Sequence, residues 1–418
     1  MKRFPLSRRS LLRHGTRAGT GIALAPLFAG LTATNARARF GADVSGPALR
    51  PVADAATGLE LLKLPEGFTY RTLGWAGDPM NDGAPTPDRH DGMAVVDVDP
   101  RTGTLTLMRN HERGPVPPGS PTPRLGGPDT PTYNALSLQG GFEGFGGGTT
   151  AIEVRDGELV SAQGTLAGTV VNCAGGATPW GSWLSCEEAV LSDPTGAFEA
   201  RFGEPALAHG YVFEVPAPRL GKASARPIVT MGRMKHEAVA VDPRDGTVYL
   251  TEDNEPHSGF YRFRPDDHSG RIGSLEAGGT LEMLKVADAD GADLRAPDQG
   301  AQYTVEWVPI ADPDSDPETL VEIATGIPIL RGSGRSGPYM QGEALGAARF
   351  ARGEGCVAHA DTIYMVDTIG GAAAKGVVWA YEPASQRLTA LFVSPGHETA
   401  NQPDNIAVST RGLSLIHI

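Results

Sequence analysis

Acidic residues recur at fixed places beside apolar runs along this 418-residue chain. Asp91 precedes Gly-Met-Ala-Val, Glu237 precedes Ala-Val-Ala-Val, Glu354 precedes Gly-Cys-Val-Ala, and Asp404-Asn405 precedes Ile-Ala-Val. A second set, His111-Glu112, Glu252-Asp253 and Asp367, follows apolar runs. Carboxylates gathered in one space repel one another unless cations lie between them, so the pattern points to hard-cation binding. Cys173 takes the leading place in a related phrase, Asn172 to Glu188. Its thiolate would be a soft ligand among carboxylates and would select a transition metal over calcium alone. The spacing equally allows Cys173 to be a buried apolar residue or half of a Cys173–Cys186 bridge. With Cys356 the count is odd, so a fully paired disulfide framework is ruled out.

These residues need elements that bring them to one point. Met93 to Leu107 reads as strand, turn and strand, and Ala238 to Leu250 repeats it. Each copy turns at Asp-Pro-x-x-Gly, where proline presets φ and glycine can take positive φ. Looser copies run from Cys356 to Val366 and from Ile406 onward. The turns at Asp99 and Asp242 lie 143 residues apart, room for about three units of blade length. Helical periodicity is nearly absent, apart from Glu343 to Ala351, which has room for two turns. The expected fold is therefore all-β, a β-propeller whose leading strands start around one axis.

Composition agrees. Glycine (55) and proline (34) argue against a helix bundle, and 40% hydrophobic residues are enough for a core. The longest apolar stretch, Gly21 to Leu31, is too short to span a bilayer. Met1 to Ala38 carries seven basic residues and no acid. Without them 29 basic face 49 acidic residues, a net charge of −20, which excludes a nucleic-acid partner. Asp288-Ala289-Asp290-Gly291 lacks the downstream Glu of a calcium loop and reads as a solvated turn. The run Gly140 to Gly148 lacks a Gly-Lys-Ser/Thr ending and reads as a loop entering a strand at Thr149.

Arg8-Arg9, an apolar run and Ala36-Arg37-Ala38 form an n-region, h-region and cleavage site in order. The segment resembles a twin-arginine signal, with cleavage after Ala38, and implies export in the folded state through the twin-arginine machinery. Leu413 to Ile418 match the in-frame translation of a transposon end, so the expected domain is 39–412 with a read-through tail at 413–418 and a last blade short of strands.

Several phrases together resemble the PhoX-type alkaline phosphatases. They are Asn172 to Glu188, Arg233-Met234-Lys235-His236-Glu237-Ala238, Thr251-Glu252-Asp253, Arg352-Gly353-Glu354-Gly355 and Pro403-Asp404-Asn405. The resemblance runs from about Asn110 to Asn405. It implies a six-bladed propeller, iron and calcium in an axial cluster, and phosphomonoester hydrolysis outside the cytoplasm. By motif, Cys173, Glu188, Glu237 and Glu354 would be metal ligands, Asp404 a further ligand, and Arg352 a contact to the phosphate. Two departures stand out: the chain has fewer insertions than the best-known type, and the read-through tail would remove any ligand after Gly412.

Such a centre suits the charge balance. An acidic protein needs a concentrated positive centre to hold an anionic ester, and clustered cations supply it while polarising the phosphoryl group. Arg352 could bind equatorial oxygens in fork geometry; as an ordinary surface arginine it would instead pair with Glu354. No Gly-x-Ser-x-Gly elbow is present for a serine hydrolase. The alternatives are a non-catalytic calcium-binding platform and a calcium-dependent propeller lactonase. A platform needs neither the soft ligand nor Arg352, and a lactonase needs only one cation. Low aromatic content and no sustained apolar surface stripe favour a monomer.

Overall fold

The computed structural model describes residues 48–116, 125–135, 144–193, 196–202, 207–322, 330–408 and 414–416. The leader with its cleavage site, and residues 140–143 of the glycine run at 140–148, lie outside the described residues. A hairpin of β1 (Arg50–Val52) and β2 (Leu62–Leu64) precedes the first sector. That sector is an antiparallel meander of β3 (His90–Val98), β4 (Leu105–His111), β5 (Gly147–Arg155) and β6 (Glu158–Thr169). β5 already begins at Gly147, ahead of the expected Thr149, because Gly147 and Gly148 pair with Thr169 and Ala167.

The second sector joins β7 (Gly176–Ala177), β8 (Ser182–Cys186) and, after β9 (Leu191–Ser192) and helix α1 (Ala197–Phe202), β10 (Val212–Pro216). The third is β11 (His236–Val241), β12 (Val248–Glu252), β13 (Phe260–Pro265) and β14 (Gly279–Val286), extended by β15 (Gln302–Pro309). A small outer sheet of β16 (Thr319–Glu322), β17 (Leu330–Ser333) and β9 follows, then helix α2 (Gly337–Ala344). The fourth sector is β18 (Gly353–His359), β19 (Thr362–Asp367), β20 (Val377–Glu382) and β21 (Arg387–Val393); the fifth pairs β22 (Ile406–Val408) with β23 (Ser414–Ile416). The fold is all-β and propeller-like. Five leading segments surround the axis, and a sixth is not among the described residues.

The two clear turn copies form as their chemistry requires. Gly103 N donates to Asp99 O at 2.9 Å and Gly246 N to Asp242 O at 2.9 Å. Only one sector, β7–β8–β10, starts between them rather than two blade-length units, because residues 112–146 make a long connection inside the first sector. The helix is also displaced from the expected Glu343–Ala351. Ser336 caps the start of α2, with Pro338 in its first turn, and Gly346 at φ 83 lies just past its end. Residues 348–350 are extended and bonded to Leu284, Ala292 and Ser258.

β14 and β21 are bridged by β15, so the third and fourth sectors merge into a nine-stranded sheet whose two ends, β11 and β18, meet at the axis. Thr251 closes that seam: its hydroxyl donates to Glu354 O at 2.6 Å and accepts from Ala238 N at 3.0 Å. Trp379, Tyr381, Tyr249, Phe260 and Phe350 fill the space inside the sheet. The leading strands can crowd only where side chains vanish. A Cβ on Gly92 would overlap the backbone of Ala174, and one on Gly355 would sit 2.8 Å from Asn405 Cα. Gly92→Ala is expected to lose about 1–3 kcal/mol of stability in urea denaturation through overpacking. Unchanged stability would mean that the first two sectors do not approach so closely.

Candidate metal centre

The acids reach the axis through a repeated backbone irregularity. β3 slips register between His90 and Met93, β11 between His236 and Val239, and β18 between Gly353 and Cys356. Each slip holds an acid followed by a small residue: Asp91-Gly92, Glu237-Ala238 and Glu354-Gly355. A bulge adds a residue to one strand and re-aims its side chain. Cys173-Ala174 holds the corresponding place in the second sector, where Gly175 bridges Ala238.

The result is two overlapping triads. Ligand atoms of Cys173, Glu188 and Glu237 lie within 4.8 Å of one another, and so do those of Glu237, Glu354 and Asp404. Glu237 belongs to both. All five metal residues expected from sequence therefore meet in one place. The three cysteines are free. Cys186 packs in the core, and the Cys173–Cys186 bridge is not formed.

Of the remaining acids, Asp91, Glu112 and Asp253 border the cluster, since each acts electrostatically on Cys173, Glu188 or Glu354. Glu252, Asp367 and His111 turn the other way. Glu252 is buried against the Tyr261 hydroxyl at 2.7 Å, and His111 Nε2 lies 2.9 Å from the Thr150 hydroxyl. Consecutive strand residues face opposite sides, which is why Glu252 and Asp253 part company.

Arg352 stands at the rim with its guanidinium engaged. Nε and Nη2 donate to the two carboxylate oxygens of Asp253, both at 2.7 Å, and Nη2 lies 3.2 Å from Glu354 Oε1. Asp367, fully buried, accepts from Ala351 N and Arg352 N at 2.9 Å each and so fixes the backbone. None of these bonds uses Nη1. Lys235, half-buried, is a cation that sequence reasoning quoted in a motif without giving it a role. Its ammonium donates to Asn254 Oδ1 at 3.0 Å and acts on Glu188.

A family comparison decides what this geometry belongs to. The family described as alkaline phosphatase PhoX matches residues 47–160 and 142–417. The chain belongs to the PhoX alkaline phosphatase family. As a member it is a phosphoric monoester hydrolase, in a metal-dependent family. No curated protein matches the chain in sequence. Among solved structures it is similar to Pseudomonas fluorescens PhoX in complex with vanadate, a transition state analogue. Identity is 16%, with 79% of this chain and 73% of that chain covered and a TM-score of 0.49. A second similar structure is XC5397 from Xanthomonas campestris, a gluconolactonase. Identity there is 13%, with 83% of this chain and 95% of that chain covered and a TM-score of 0.23.

The PhoX residues present suit cations. Buried Glu237 Oε2 accepts no hydrogen bond among the described residues, and Glu354 Oε1 has only the ion pair with Arg352; a buried carboxylate oxygen without a donor calls for a cation. Burial, with neighbouring acids adding to it, pushes Glu188 up to about 8 and Glu354 up to about 9. Burial and then the Glu354 charge push Glu237 well above the carboxylate range. Burial with Glu237 and Asp91 nearby does the same to the Cys173 thiol.

A carboxyl group with a raised value binds its proton more tightly when folded than unfolded. The metal-free stability is then fully present below about 4.5 and falls as pH rises through about 8 and 9. The melting temperature of chelator-treated protein is expected to drop over that window, and metal-loaded protein to show a flatter profile. Equal profiles would contradict a shared cation site.

Proposed function

We propose that this chain is an exported phosphomonoesterase with a mixed iron and calcium centre. Cys173, Glu188 and Glu237 hold iron, because the thiolate makes that triad the softer one. Glu237, Glu354 and Asp404 hold calcium through oxygen alone. The observation that carries this reading is the sharing of Glu237 between a thiolate triad and an all-oxygen triad, beside an arginine at the rim. When bound, the cations supply Lewis-acid polarisation of the phosphoryl group and of the attacking water.

The chain's own residues do the rest. Cys173 and the four carboxylates offset charge and set the cations' spacing. Arg352 binds the phosphate through the N–H groups that Asp253 leaves free, and stabilises charge on the equatorial oxygens as the ester bond breaks. Asp253 and Asp367 keep its guanidinium and backbone in place beforehand, so little reorganisation is needed when the substrate arrives. Lys235 adds a second positive charge on the Glu188 side and steers the anion inward past the acidic surface.

Met1–Ala38 directs export through the twin-arginine route to the periplasm or beyond, which lets the centre assemble before translocation. Residues 39–412 make the enzyme domain, acting as a monomer. Among the described residues no helix is long and apolar enough to cross a membrane.

Protein purified from its export route is expected to contain both iron and calcium and to hydrolyse an aryl phosphate. Cys173→Ala should lose iron and turnover together. Arg352→Ala should keep its metals and lose about 10²–10³-fold in kcat/KM. Calcium alone in the native protein, or unchanged turnover in Cys173→Ala, would overturn the reading.

A further inference from the structure

Glu187 stands next to the proposed ligand Glu188 but takes no part in either triad. It is fully buried, and both its oxygens are saturated. Oε1 accepts from Val170 N at 2.9 Å and lies 2.7 Å from His209 Nδ1; Oε2 accepts from Gly210 N at 2.8 Å and Tyr211 N at 3.1 Å. His209 is buried too, with Nε2 3.1 Å from the Asn134 side chain. Because the carboxylate accepts, Nδ1 carries the hydrogen.

The backbone of Glu187 touches every segment that presents the thiolate triad. It bridges Asn172, the residue before Cys173. Its carbonyl accepts from His236 N at 2.9 Å, the residue before Glu237. Glu188, the third member, is its own neighbour, tied by Glu188 N to Val171 O at 2.8 Å. One buried side chain therefore fixes a residue adjacent to all three members. The Glu187 carboxyl group is held by four donors rather than by packing alone, three backbone N–H groups and the imidazole, with the Asn134 amide behind the imidazole.

We propose that Glu187 and His209 form a positioning pair for the Cys173–Glu188–Glu237 triad. They hold the three segments in the register at which thiolate and carboxylates can share one metal, and neither touches the substrate. The proposal rests on the reading of that triad as a metal site.

The test uses full-length protein stripped of metal and titrated with cobalt(II), whose thiolate absorption band reports occupancy beside Cys173 directly. Variants are Glu187→Gln, His209→Ala, His209→Gln and, as a control, Glu214→Gln. Glu214 is a buried acid of the same sector that accepts from Trp180 Nε1 at 2.7 Å, Ser182 Oγ at 2.6 Å and Gly273 N at 2.8 Å, away from the triad. Glu187→Gln and His209→Ala are expected to weaken cobalt binding about 10–100-fold. His209→Gln, whose amide can still donate, should recover part of that affinity, and Glu214→Gln should lower the melting temperature while leaving the band intact. Native-like cobalt affinity in folded Glu187→Gln, or an equal loss in Glu214→Gln, would overturn the pairing. A native protein with no thiolate band would instead refute the metal reading, and the pairing with it.

Discussion

Mutual repulsion among acids crowded at one axis, Glu237 and Glu354 of them buried, is the constraint on which the structure turns. Bulges in β3, β11 and β18 deliver Asp91, Glu237 and Glu354 to one axis, where Glu188 and Asp404 join them. Burial and like charge act in the same direction, and both raise the proton affinity of Glu237 and Glu354 when no cation is bound. Cations remove both penalties at once. Gly92 and Gly355 let the strands approach closely, and Thr251 ties β11 to β18. The scaffold thus holds together charges that would separate if they were free to move.

An acidic protein that acts on an anion must place its few positive groups with care. Arg352 and Lys235 are held from behind, by Asp253 with Asp367 and by Asn254. Arg352 is on the fourth sector and Asp253 on the third, so the phosphate contact depends on the same seam as the metal triads. Site and fold are therefore coupled at the junction of β11 and β18.

Much of this was legible in the chain. Asp-Pro-x-x-Gly turns and period-two apolar runs are local signals, and they placed four of the five leading acids and thiol at strand starts. The family resemblance added Glu188 and Arg352. What could not be read depends on partners far along the chain. The resemblance picks Glu188 over Glu187, but the physical reason lies in the bonds of Glu187 to Val170, Gly210 and Tyr211. The grip of Asp253 on Arg352 spans 99 residues. The number of sectors between the two clear turn copies was hidden by the insertion at 112–146, and the position of α2 by the Ser336 cap. One signal was present and overlooked: four of the five leading segments pair their acid or thiol with a following glycine or alanine, the mark of a bulge between closely approaching strands, and only Asp404 is followed by Asn405 instead.

The most direct test of the account is anomalous X-ray scattering from crystals of the natively exported protein, measured on both sides of the iron absorption edge. The account predicts an iron peak within bonding reach of Cys173 Sγ and Glu237, together with a calcium site bounded by Glu237, Glu354 and Asp404. Electron density showing Cys173 without a metal neighbour, or calcium in both triads, would contradict it.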